Sequence, residues 1–255
     1  MKRIRAIALG TFRESVREKL VYVALLFGGI LLASTWVLSP LAVGAKTKVM
    51  TDVGLAGISI LGVLTAVMVG SVLVHKEVDK RAVYVVLTRP VSRFEYLAGK
   101  FAGLAAAVLS MAAVMAVLLV AMILLAGEKP DGALFAAVLL SGIEITVMCA
   151  VTVFFSTFTT PILTSFFSLC VFAAGSLSGD LRLFAQKFGG AALSRIMDAF
   201  YYLMPNIAAF NLRHEAVHGL EWSPGETAWS VVYGVVYAAV VLYFAWLVFR
   251  RREFA

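Results

Sequence analysis

The chain has 255 residues, of which 62% are hydrophobic and 15% charged, with two cysteines and a net charge of +7. A soluble domain carries about a quarter charged residues, so this balance excludes an ordinary soluble enzyme and describes an integral membrane protein. The excess of Lys and Arg follows membrane topology better than a nucleic-acid surface, since the cations gather in alternate loops.

Crossing roughly 30 Å of hydrocarbon takes about 20 apolar residues at ~1.5 Å each, and backbone groups shielded from water must pair within each segment. Spans are therefore helices. Residues 1–19 come first and read as an amphipathic helix. Ile4, Ile7, Ala8, Phe12, Ser15 and Val16 share one side, while Arg3, Arg13, Glu14, Arg17 and Glu18 take the others. Such a helix can lie in the membrane interface, with its cations near anionic headgroups. An ordinary charged flank that orients the first span is the alternative. Glu14 and Glu18, together with the length of the apolar run that follows, argue against a cleaved signal peptide. Val43-Gly-Ala45 is the one cleavage-like tripeptide.

Six apolar stretches meet the length test: 20–38, 53–74, 101–126, 134–158, 162–177 and 228–249. The fifth is the shortest and ends among Gly175, Ser176, Ser178 and Gly179. Asp52 stands at the outer start of the second span, where a helix N-terminus favours an acid. The loop at 75–100 is charge-dense: His75-Lys-Glu-Val-Asp-Lys-Arg81, then Leu87-Thr-Arg-Pro-Val-Ser-Arg93 and Lys100. Val78, Ala82, Val83, Val86 and Leu87 fall on one helical face between residues 77 and 87. Arg89-Pro90 stops that helix, and Ser92-Arg-Phe-Glu95 is a capping box opening the third span. Gly99-Lys-Phe-Ala-Gly103 permits close helix approach, either within the chain or between two copies.

Glu144 is the one carboxylate well inside an apolar run, which by default marks function. Ser141, Glu144, Met148, Thr152 and Ser156 share a face of the fourth span, so that face lines a pathway or makes a structural interhelical hydrogen bond. Cys149 and Cys170 lie in apolar runs and read as small hydrophobes. Thr160-Pro161 starts the fifth span, and Ser223-Pro-Gly-Glu226 starts the sixth. Between them, Leu183, Phe184, Phe188, Leu193, Ile196, Met197, Phe200, Tyr201 and Met204 recur at helical spacing. The segment 179–227 therefore carries one or two short helices and is too small for a core of its own. Lys and Arg concentrate before span one, in 75–100 and after span six, which places both termini and that loop in the cytoplasm.

His214-Glu-Ala-Val-His218 matches a zinc-protease motif, but Asp198, Glu221 or Glu226 would have to supply a third ligand. Polar surface residues are the plainer reading. Gly44-Ala-Lys46-Thr47 lacks the rest of a phosphate-binding loop. If the chain works against a gradient, ATP must be hydrolysed by another chain or an ion gradient must be used.

These residues together resemble the membrane subunit of ABC-2-type transporters nearly end to end. Thr11-Phe-Arg-Glu-Ser-Val-Arg-Glu-Lys19 is similar to that family's amphipathic first helix, and Asp52-Val-Gly-Leu55 to the opening of its second span. Residues 76–100 resemble its coupling loop, and Met204-Pro-Asn206 with Phe210-Asn-Leu212 an outer-loop motif usually written with Leu in place of Met204. The resemblance implies an all-α integral membrane protein of the inner (plasma) membrane. It would have six transmembrane helices, an N-terminal interface helix, a cytoplasmic coupling helix and short outer-loop helices. It also implies a homodimer or heterodimer with a second permease, bound to cytoplasmic ATPase subunits that hold ATP and Mg, with no cofactor on this chain. By that analogy Glu77, Asp79, Lys80, Arg81, Arg89, Pro90, Arg93 and Glu95 would contact the ATPase, with Val83 and Leu87 filling a pocket. A stand-alone ion-coupled transporter or channel resting on Glu144, and a membrane zinc protease resting on 214–218, are the competing readings.

Overall fold

The computed structural model describes residues 2–16, 21–38, 46–79, 92–188, 195, 198 and 204–251. The elements in chain order are α1 (Lys2–Ser15), α2 (Val21–Leu38), α3 (Lys46–Asp79), α4 (Arg93–Leu125), α5 (Gly132–Ser156) and α6 (Pro161–Phe188). A 3-10 turn (Ile207–Phe210), α7 (Arg213–His218) and α8 (Pro224–Arg251) complete them. Among the described residues there is no strand. Five described stretches are long and apolar enough to cross a membrane: Thr47–Val72, Arg93–Leu125, Gly132–Ser156, Pro161–Gly179 and Pro224–Arg250. In the place of the first expected span stands α2, an 18-residue helix, which is about 27 Å long at ~1.5 Å per residue.

The centre of the bundle is α5, packed on by α3, α4, α6 and α8. Two thirds of its apolar stretch is buried (67%), against 17% for that of α8. Ile145, Met148 and Leu140 from α5 meet Leu104, Val108, Met115 and Leu119 from α4, with Ile58 from α3 and Phe27 and Leu31 from α2. The outer faces of α6 and α8 carry exposed Ile162, Phe166, Trp229, Val236 and Phe244. An aqueous surface would not tolerate so much apolar area, whereas hydrocarbon or another apolar helix would.

Local chemistry sets the helix starts. Ser92 Oγ accepts from the Glu95 amide at 3.2 Å, and the Ser92 amide donates to Glu95 Oε2 at 3.0 Å, so the predicted capping box is formed in both directions. Pro161 and Pro224 are the first residues of α6 and α8, as the sequence predicts.

Two elements run past their expected ends. The fifth apolar stretch ends at Gly179, close to its expected end, but the small residues there do not stop the helix, because α6 continues to Phe188. Gly175 is small for a packing reason: a Cβ there would press on the carbonyl oxygen of Pro205 and on Ile207. Ser176 and Ser178 tie their hydroxyls to Phe172 and Gly175 carbonyls within the same helix, at 2.8 Å each. Leu183, Phe184 and Phe188 therefore extend α6 and do not begin a separate outer helix, while Leu193, Ile196, Met197, Phe200 and Tyr201 lie outside the described residues. Likewise α3 continues through Glu77 to Asp79, so the start of the expected coupling helix is the end of the second span's helix. Residues 80–91, where the rest of it falls, lie outside the described residues.

Candidate functional site

The polar stripe predicted on the fourth span is built on α5, where Ser141, Glu144, Met148, Thr152 and Ser156 are all buried. Glu144 is 6% exposed. Its carboxylate accepts from Ser59 Oγ on α3, at 3.1 Å to Oε1 and 2.9 Å to Oε2. Ser141 Oγ donates to the Ala137 carbonyl at 2.9 Å and Thr152 Oγ1 to the Met148 carbonyl at 2.8 Å, the back-bonding that lets a hydroxyl sit inside an apolar helix. Ser59, Ser141 and Glu144 border a cavity of about 180 Å³ between α3, α5 and α6. Thr152 does not reach it. It lies two turns further along α5, packed where a Cβ on Gly70 would be. The sequence thus found two lining residues and one neighbour of the same stripe.

One side of the cavity is closed by the segment from Met204 to Arg213, which also contributes to its lining. Several contacts hold that segment down. The Asn206 amide donates to Tyr233 Oη at 2.9 Å, and the Phe210 ring stacks on Tyr233 with centroids 5.9 Å apart. Pro205 and Ile207 fill the notch at Gly175, and Phe210 shares the one at Gly234 with Ile143 of α5.

The contact at the far end of the segment corrects the reading of Asp52. Arg213 grips its carboxylate through two N–H groups, Nε to Oδ1 and Nη2 to Oδ2, the latter at 2.8 Å. Asp52 stands six residues into α3, past the first turn where the helix dipole acts, so its partner is the guanidinium. The hydrogen bonds to Asp52 raise the pKa of Arg213 above its ordinary value. Sequence reasoning passed over Arg213. Its signal was isolation: no other Lys or Arg falls between Arg195 and Arg250.

The histidines beside it form a pair. The His214 and His218 rings lie 4.5 Å apart on one short helix. Among the described residues no three His, Cys, Asp or Glu side chains gather where they could share a metal ion.

At the opposite end of the bundle the glycines of Gly99-Lys-Phe-Ala-Gly103 find their partner within the chain. A Cβ on Gly99 would meet Ile7, and one on Gly103 would meet the Ala8 carbonyl oxygen and the Thr11 side chain at 2.6 Å each. The apolar face of α1 thus lies in a groove on α4, with Thr11 and Ser15 buried and Arg13 and Glu14 exposed. Arg17 and Glu18 lie outside the described residues. Arg93 Nη1 donates to the carbonyls of Phe249 at 3.2 Å and Arg250 at 2.8 Å, which caps the C-terminal end of α8. Tyr96 stacks on Phe249 at 6.0 Å and Phe94 meets Trp246 edge-on at 6.2 Å. Among the residues expected to contact an ATPase, Arg93 is thus engaged inside the bundle and Glu95 closes the capping box. Glu77 and Asp79 sit in the last turn of α3, whereas Lys80, Arg81, Val83, Leu87, Arg89 and Pro90 lie outside the described residues.

No curated protein matches the chain. The model of the ABC-2 family transporter proteins matches residues 6–254, nearly its whole length. The chain belongs to that family. It is a multi-pass membrane permease, a transport component that is not itself catalytic.

Proposed function

We propose that this ABC-2 chain is the membrane-spanning half of a two-part machine, in which it forms the substrate path and a separate cytoplasmic ATPase supplies the work. The observation that carries the reading is the family match over residues 6–254, joined to five apolar helices gathered round a buried polar stripe. With α2 as a further span the chain crosses six times. Both termini and residues 75–100 then face the cytoplasm of a cell whose inner membrane holds the protein, in agreement with the distribution of Lys and Arg.

In this reading Lys80, Arg81, Arg89 and their neighbours grip the ATPase, which holds ATP and Mg. Glu77 and Asp79 lie on the helix of the second span itself. A pull on the loop therefore reaches Ser59 and Asp52 through one continuous rod. Such coupling needs contacts that differ between the open and closed ATPase. The exposed apolar faces of α6 and α8 support pairing with a second permease, identical or not, or contact with lipid. The groove on α4 holds α1 at the bundle's edge, with Arg13 and Glu14 outward toward the headgroups.

The test is purification in mild detergent with the candidate ATPase. The ATPase is retained on the wild-type chain and lost after Arg81→Glu with Arg89→Glu. Retention after both charge reversals overturns the assignment of the loop.

A further inference from the structure

The hydroxyl hydrogens around the cavity are already committed. Ser59 donates to Glu144, Ser141 to the Ala137 carbonyl, and Ser176 to the Phe172 carbonyl at 2.8 Å. What these oxygens still offer is lone pairs, so the side-chain groups that α3, α5 and α6 turn to the cavity are acceptors, while the donors of the described lining, Asn211 and Arg213, come from the covering segment. Glu144 itself is buried with one hydroxyl as its donor, too little to compensate an ionised carboxylate away from water. Among the described residues of the lining the one cationic side chain is Arg213, and Asp52 engages it.

The remaining walls narrow the ligand further. Leu55, Ile60, Phe172 and Phe210 are apolar. A cavity of about 180 Å³ has the room of roughly six waters at ~30 Å³ each. A bare alkali ion would leave most of that room and all of the apolar wall unmatched. An ammonium group with a short carbon chain matches both, and aromatic rings nearby favour a cation.

We propose that the cavity between α3, α5 and α6 binds a protonated primary amine bearing a short apolar chain, with Glu144 as counter-charge and Ser59, Ser141 and Ser176 accepting its N–H groups. This rests on the permease reading and names the substrate class of its path. Passage to and from the site runs under the Met204–Arg213 segment. The Asp52–Arg213 pair, at the mouth, must part or shift for a substrate to leave.

Thermal unfolding of the purified full chain in phosphatidylglycerol nanodiscs tests it, with n-butylammonium, tetramethylammonium and potassium chlorides as probes. Butylammonium at several times its Kd raises the wild-type midpoint by about 2–4 °C. Tetramethylammonium, which has no N–H, and potassium leave it unchanged, and Glu144→Gln abolishes the butylammonium shift. If Glu144→Gln does not fold, Ser141→Ala with Ser176→Ala reduces the shift while keeping the carboxylate. Equal shifts from all three salts, no shift from butylammonium, or a full shift in the variants overturns the site. Phosphatidylethanolamine nanodiscs separate the sources. A lipid headgroup in the site makes added butylammonium silent, with a midpoint already raised over that of Glu144→Gln, whereas a free-amine site responds as before. Both patterns support the amine site. Loss of the amine response with the ATPase still bound sinks this inference alone, and an amine response without any ATPase partner sinks the permease reading alone.

Discussion

The two ends of the bundle are built on opposite plans. At one, α1 fills the glycine groove of α4, Arg93 caps α8, and Tyr96 and Phe94 lock onto Phe249 and Trp246. At the other, a short segment bridges a polar cavity and is tied to α3 by one half-exposed ion pair. The first end joins the starts of two chain segments and the close of a third through short-range packing. The second closes over its space with the buried side chains of Ile207 and Phe210 and, toward α3, with an ion pair open to solvent.

The comparison breaks most visibly at Gly103. Gly103→Leu drives a side chain into the Ala8 carbonyl and Thr11, atoms that cannot step aside without moving α1. The expected cost is about 3 kcal/mol of overpacking or the release of α1 from its groove. Limited trypsin digestion reads this as new cleavage at Arg13, and an unchanged digestion pattern would contradict the docked helix.

Next in size is Ser59→Ala. It removes the hydroxyl that donates to both oxygens of Glu144 and leaves a buried acceptor without that bond, worth about 1–3 kcal/mol. Chemical denaturation should show the loss, and Glu144→Gln combined with it should cost less than the two changes added together. Full additivity would mean that the two side chains do not interact.

The smallest effect is expected at the mouth. Asp52 and Arg213 are 43% and 39% exposed, so solvent screens them, and a double-mutant cycle with Asp52→Ala and Arg213→Ala should give a coupling of roughly 0.5–1 kcal/mol. The same variants should speed hydrogen exchange at the amides of 207–218 while leaving those of 93–104 unaffected. Equal acceleration at both ends would erase the distinction between a rigid end and a yielding one.

What the sequence made legible is what local chemistry decides. Apolar runs of about 20 residues give spans, Ser92 with Glu95 gives a cap, and the spacing of Ser141 and Glu144 gives a common face. The illegible parts depend on partners far along the chain. Asp52 and Arg213 are separated by 161 residues, and no local pattern links them. Gly99 and Gly103 announce close approach without saying which helix approaches. Gly175 looked like part of a helix end because small residues serve both purposes, and only the position of Pro205 shows that it is a notch. The cavity was half visible. Glu144 drew attention by its charge, while Ser59 and Ser176 looked like any serine in a membrane helix.

The claim on which everything turns is that residues 75–100 face the compartment that holds ATP. Cys149 is buried and Cys170 exposed, so both are replaced by Ala before Tyr84→Cys and, as an outward control, Glu221→Cys are introduced separately. A membrane-impermeant maleimide added to intact cells should label the cysteine at 221 and reach the one at 84 only after the cells are permeabilised. Labelling at position 84 in intact cells would contradict the account.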